Sequence, residues 1–315
     1  MIHRRSFLLT AAALPALAQT KPKKMNPRER VDAVLRGAPV DRPPFTLWHH
    51  FGLEAQGPAA HARATLDFHA RNGTDLVKVM SDFAYPNQPG VLETPFPAQL
   101  QALELIRDGL AGSKYFVETI FNPWNVLEKL TSKEEVVRLH REQPQTLLDR
   151  LETIARSEAN HARAARERGA SGIFLAIANA QDGILSLADY CKFSEPFDRM
   201  VVEAVADLPL NILHLHGPAV YVDHFLRTWR NVTHHYSEAE TGFTLADAHA
   251  IYPGTLMGGI DHRSFRNLNV DQLRAAARRA RDMAAPNLIL APGCSVPDDS
   301  TPKELVQLRK AVEKL

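Results

Sequence analysis

From residue 44 onward, short apolar runs alternate with longer stretches of helical periodicity. The β-like runs fall at 44–48, 76–80, 115–121, 172–177, 211–216, 232–235, 255–260 and 287–291. Between them the spacing is helical: Leu147, Leu148, Leu151, Ile154 and Ala155 occupy positions i, i+1, i+4, i+7 and i+8. Asn26-Pro27-Arg28-Glu29 reads as a helix start, with an Asn cap, Pro at the first helical position and Glu two further on. Thr301-Pro302-Lys303-Glu304 is a capping box opening the last helix. Strand–helix alternation repeated eight times predicts an α/β fold with a parallel sheet, closed into a single (β/α)₈ barrel over 26–315. A doubly wound open sheet is the alternative, but no Gly-x-Gly-x-x-Gly follows the first strand. One connection is long: 84–99 carries Pro86, Pro89, Pro95, Pro97 and Gly90, a stiffened loop suited to a lid or to surface decoration.

Composition narrows the class. Of 315 residues, 45% are hydrophobic and 23% charged, with 37 Lys and Arg against 36 Asp and Glu. Near-neutral charge leaves no basic excess for a nucleic-acid or anionic-membrane surface. Two cysteines, Cys191 and Cys294, are too few for a disulfide scaffold. Residues 1–18, MIHRRSFLLTAAALPALA, pair Arg4 and Arg5 with an apolar run and end in Ala16-Leu17-Ala18. That is the layout of a cleavable export signal of the twin-arginine type. It predicts cleavage after Ala18, a tether at 19–25, a periplasmic location and no membrane anchor once the signal is gone.

Seven of the 14 histidines fall at the predicted C-terminal strand ends, where barrel active sites lie: His49, His50, His214, His216, His234, His235 and His262. Asp82, Asp261 and Cys294 share that rim. In His214-Leu215-His216, residues i and i+2 of a strand point to one face, so both imidazoles project into the barrel mouth. Two imidazoles and a thiolate from Cys294 make a zinc-type donor set with an open fourth position. Structural histidines plus a buried thiol are the plainer alternative. His234 or His235 could add a ligand, and His235 is a candidate catalytic group. Asp82 follows an apolar strand directly, where a carboxylate serves as general acid, as a stabiliser of developing N–H cations, or as a cap. His49, His50 and Asp261 are candidate substrate contacts. Gly258 and Gly259 imply a close backbone approach by substrate or neighbouring strands. Cys191 reads as a packed core residue, and His140 and His161 as occupants of solvated helix faces.

Several short motifs occur in one order: Arg28-Glu29-Arg30-Val31, Arg36-Gly37, Asp41-Arg42-Pro43-Pro44, Ser81-Asp82, His214-x-His216-Gly217, Gly258-Gly259-Ile260-Asp261, and Ala291-Pro292-Gly293-Cys294 with Thr301-Pro302. In that order the chain resembles the uroporphyrinogen decarboxylase superfamily over 26–315. The resemblance implies the same barrel fold and two chemistries. In the decarboxylase branch no cofactor is used, and an aspartate matched by Asp82 contacts pyrrole N–H groups. That branch also has an arginine-rich loop after the first strand; here the loop is His49-His50-Phe51-Gly52-Leu53-Glu54, without arginine. In the corrinoid-linked methyltransferase branch, a His-x-Cys strand end and a later Cys bind zinc, which activates a thiol as methyl acceptor. His214 and Cys294 match that set, and His216 stands where the branch has cysteine. The resemblance thus implies a small-molecule substrate of tetrapyrrole or corrinoid-linked type. Three functions follow: a zinc-dependent methyltransferase-like enzyme, a metal-free carboxy-lyase, or an exported binding protein without catalysis.

Overall fold

The computed structural model describes residues 24–315, so the expected export signal and all but the last two residues of the tether lie outside the described residues. Seven strands form one parallel sheet in sequence order: β1 (Leu76–Val79), β2 (Tyr115–Phe121), β3 (Ile173–Ile177), β4 (Ile212–Leu215), β5 (Thr233–Tyr236), β6 (Leu256–Ile260) and β7 (Leu288–Pro292). Each answers to one of the expected runs, displaced by at most one residue at either end. Helices connect them and cover the outside of the curled sheet. Asn26 and Thr301 cap the first and last helices with full capping boxes. On the helix Pro144–Glu167, Leu147, Leu151, Ile154 and Ala155 of the predicted stripe are buried and Leu148 is half-buried.

The expected first strand at 44–48 is not a strand here. It makes a single parallel bridge, Phe45 to Leu290. Thr46 N–H donates to Leu290 O at 3.1 Å, and Leu290 N–H to Pro44 O at 2.8 Å. On its other side Asp75 N–H donates to Phe45 O at 2.7 Å. The physical reason is local: Pro43 and Pro44 carry no N–H, so a longer ladder on this segment lacks donors. Its anchor is ionic instead. Asp75, buried ahead of β1, accepts from Phe45 N–H, Arg30 and Arg42, while Arg30 also grips Asp41 at 2.7 Å. The Arg30, Asp41 and Arg42 of the N-terminal motifs are therefore a structural clamp at the end of the sheet opposite the strand C-termini.

Register sorts the side chains. Lys78 pairs with Val117, Thr119 with Phe174, Ala176 with His214, His214 with His235, and His235 with Met257. This row faces inward, where Trp48, Phe174, Met257 and Ile289 form an inner cluster. Gly259 is set by packing: a Cβ there would lie 2.4 Å from Ala280 Cβ, on the helix Val270–Ala284, and its φ is +95°. The close approach anticipated at this glycine is thus to a helix.

Candidate functional site at the strand C-termini

Period-two alternation on β4 and its exit places His214 and His216 on the inner face, and His216 N–H donates to Ile177 O at 2.9 Å. Cys294 arrives from the far side of the sheet. Gly293 N–H donates to Ile260 O at 2.9 Å, and a Cβ at Gly293 would meet Ser237 Cα at 2.7 Å, so only glycine lets the chain turn this tightly over the end of β5. Val296 N–H then donates to Trp48 O at 2.9 Å, fixing the loop from its other end.

The outcome is a three-donor cluster. Cys294 Sγ lies 3.7 Å from His214 Nε2 and 3.6 Å from His216 Nδ1, and the three ligand atoms all lie within 4.8 Å of one another. A tetrahedral zinc with Zn–S of about 2.3 Å and Zn–N of about 2.0–2.1 Å sets S···N separations of about 3.6 Å, so the donor set fits that ion. Burial, reinforced by the neighbouring His235, holds His214 well below its ordinary pKa and therefore neutral, as ligation requires. Burial pushes the Cys294 thiol up, but the hydrogen bond and charge of His216 outweigh it and bring the thiol below its ordinary value. The same hydrogen bond raises His216. One feature departs from common metal sites: His214 Nδ1 is buried without a hydrogen-bond partner, where a second-shell acceptor is usual.

These residues open onto a cavity of about 410 Å³ lined by His214, His216 and Cys294 together with Trp48, Lys78 and Phe174. The other expected residues divide. His50 lines the cavity and its Nδ1 bonds Asp82 Oδ1 at 2.7 Å. Asp82 itself is turned out of the cavity; burial raises its carboxyl, but bonds from His50 and Phe51 N–H bring it below its usual value. His235 lies beneath the cluster, stacked on His214 at 4.7 Å, with its Nε2–H donated to Pro292 O at 2.9 Å. Its burial lowers its pKa to about 3, so it is a neutral support under His214.

His49, next to inward-facing Trp48, points the opposite way and packs on Phe51 and Phe68, outside the cavity lining. His234 faces outward for the same alternation reason, bonded to Trp229 O and packed on Tyr252, so it cannot add a ligand. Asp261 accepts from Arg263 N–H at 2.9 Å and from Ser264, capping a 3₁₀ turn beside a separate cavity. His262 is mostly buried, 3.9 Å from Glu240. His161 is not on a solvated face: it is fully buried and donates to Glu118 at 2.9 Å behind β2. Cys191 is only partly buried, 3.8 Å from His224, whose ring bonds Glu195. That Glu195 also holds Arg199, and burial with the Glu195 hydrogen bond lifts the Cys191 thiol to about 11; a guanidinium and a protonated thiol are poor company for a metal ion.

Lys78 was not anticipated. Its side chain is 3% exposed inside the sheet, with Nζ donating to Met80 Sδ at 2.8 Å and lying over the rings of Phe174 and Trp48. The signal was present in Leu76-Val77-Lys78-Val79-Met80, a lone charge in a run whose even positions face the interior.

The family model described as Uroporphyrinogen decarboxylase (URO-D) matches residues 58–315. Among solved structures, a methyltransferase from Methanosarcina mazei superposes with a TM-score of 0.76 at 17% identity, covering 92% of this chain and 99% of that one. A putative vitamin-B12 independent methionine synthase from Listeria monocytogenes gives 0.55 at 11% identity, with 86% and 95% covered. A B12-independent methionine synthase from Shewanella sp. W3-18-1 gives 0.54 at 10% identity, with 87% and 93% covered. At these identities the likeness is one of fold. No curated protein matches the chain.

Proposed function

The chain belongs to the uroporphyrinogen decarboxylase family, and from that membership we propose that it is a methyltransferase-like enzyme holding a zinc ion with His214, His216 and Cys294. The convergence of those three donors at zinc-like spacing carries the reading. Zinc bound there would supply Lewis acidity, lowering the pKa of a thiol or water so that it accepts a methyl or other one-carbon group near neutral pH. The protein supplies the rest. His235 stacks under His214 and fixes its ring plane. The Gly293 turn brings Cys294 to the two imidazoles. The apolar walls of Trp48 and Phe174 exclude water from the reacting atoms. Segment 44–48, bonded to both β7 and the start of β1, we read as the eighth stave that closes the barrel and sets Trp48 in its interior.

Metal-free decarboxylation of a porphyrinogen-like acid draws less support. Asp82 is committed to His50 rather than aimed into the cavity, and 410 Å³ lies at the small end of the range of about 300–1,000 Å³ for ligand sites. Residues 1–18 we read as an export signal, which places the enzyme in the periplasm. There, metal ligation would protect the Cys294 thiolate from oxidation.

Elemental analysis and N-terminal sequencing of protein isolated from its native compartment test the two readings. We expect one zinc per chain, a mature N-terminus at Gln19, and zinc reduced to trace levels in His216→Ala and Cys294→Ser. Zinc-free wild type, or full zinc in both variants, removes the metal reading. Protein retaining Met1 removes the export reading.

A further inference from the structure

We propose that Lys78 is the anion anchor of the cavity, so that the substrate is a small, largely apolar carboxylate. The inference rests on the barrel-mouth cavity being the substrate site, as argued above, but not on zinc. A lysine amine almost never sits this far inside a protein without a carboxylate beside it. Lys78 does: its hydrogen bond goes to a thioether, a weak acceptor, its other close neighbours are the faces of Phe174, 4.7 Å away, and Trp48, 5.4 Å away, and the charges that act on it from farther off are those of Cys294, Asp82 and Glu118. Asp82 is engaged by His50, and Glu118 by His161 and Gln99. The one open direction is the cavity, which Lys78 lines.

Among the lining side chains away from the donor cluster, cations outnumber carboxylates. Lys129 and Lys133 stand on the wall, Lys129 packed on Phe121. The single lining carboxylate, Glu128, is held by Trp124 Nε1–H and Asn125 Nδ2–H, both at 3.1 Å. Trp48, Phe121, Phe174, Ala176 and Ala178 supply an apolar and partly aromatic surface. Burial lowers the Lys78 pKa to about 7, the expected state of an amine awaiting its counter-ion; a bound anion restores the full charge. A ligand with one anionic end and a flat apolar body fits this arrangement. Its anion would meet Lys78 and its body would cover the aromatic surface.

The test uses benzoate and its neutral isostere benzamide as probes, by titration calorimetry on the full-length mature protein, with and without prior removal of metal by chelation. Benzoate should bind at least about tenfold more tightly than benzamide in both preparations. Lys78→Met, which keeps the aliphatic stem, should erase the preference, and Lys78→Arg should retain part of it, with unfolding midpoints certifying both variants as folded. Equal binding of the two probes, or an unchanged preference in Lys78→Met, overturns the proposal. So does a preference that vanishes on chelation, which would assign the anion to the metal. Wild type isolated without zinc, before any chelation, sinks the metal reading on its zinc content alone; a Lys78-dependent preference for benzoate in that same protein leaves this one standing.

Discussion

Neighbouring residues along β5 face opposite ways and have opposite roles: His235 supports the donor cluster from inside the sheet, while His234 packs outside it against Tyr252. Alternation makes such assignments legible wherever the phase of the strand is known, which is why His214 and His216 were placed correctly from their spacing. At His49 and His234 the sequence offers the residue type without the phase, and both turned out to face away from the cavity. His161 and Lys78 differ from these and from each other: His161 is buried by a partner remote in sequence, Glu118, which no local pattern announces, whereas Lys78 stands out locally as the lone charge of an apolar run with its phase facing inward. His234 also carries a prediction. Burial lowers its pKa to about 4, from an ordinary value near 6.5. A base with a depressed native pKa stabilises the fold fully above about pH 6.5 and loses that contribution as pH falls towards 4, because the unfolded chain takes up the proton first. His234→Gln can keep the bond to Trp229 O but cannot titrate. Between pH 7 and 5, wild type should therefore lose about 2 kcal/mol more stability than the variant in urea titrations. Parallel pH profiles would contradict this.

Elements were the most legible scale. Seven strands stand where apolar runs predict them, because a strand buried on both faces must be written in apolar residues wherever it occurs in the chain. The eighth run, 44–48, has the composition of a strand but lacks donors at Pro43 and Pro44, and the Asp75 clamp does what a ladder would otherwise do. The proline-rich loop packs on the helix Pro144–Glu167, with Leu92 bonded to Ser157 and Asn160. Which helix receives a loop is long-range information that proline content does not carry. Gly259 shows a backbone requirement the sequence hinted at without naming the neighbour. Gly259→Val puts a branched side chain into Ala280 at a φ of +95° and should cost about 2 kcal/mol or more. The check is a lower urea midpoint with an unchanged m-value. Ala280→Gly should recover part of the loss, since it relieves the clash and leaves the strained φ. A midpoint equal to that of wild type would show the helix yielding freely.

At the scale of the whole molecule, one end of the sheet carries an ionic clamp and the other the candidate site. The Arg30, Asp41, Arg42 and Asp75 clamp ties the N-terminal segment to the end away from the cavity. Every donor of the candidate metal site is at the opposite end, drawn from β4 and from beyond β7. Family membership was readable from the ordered motifs, most of which mark these two ends. The cavity's size and its cationic lining were not readable, because both depend on how the strands curl together. Among the described residues no helix is long and apolar enough to cross a membrane. The proposed metal site requires the curled strand ends to bring one sulfur and two imidazoles onto a single ion. X-ray absorption at the zinc edge of the purified mature protein measures that directly. We expect one sulfur at about 2.3 Å and two imidazole nitrogens at about 2.0–2.1 Å, with the sulfur shell gone in Cys294→Ser. A spectrum of oxygen and nitrogen alone, or one unchanged by Cys294→Ser, would contradict it.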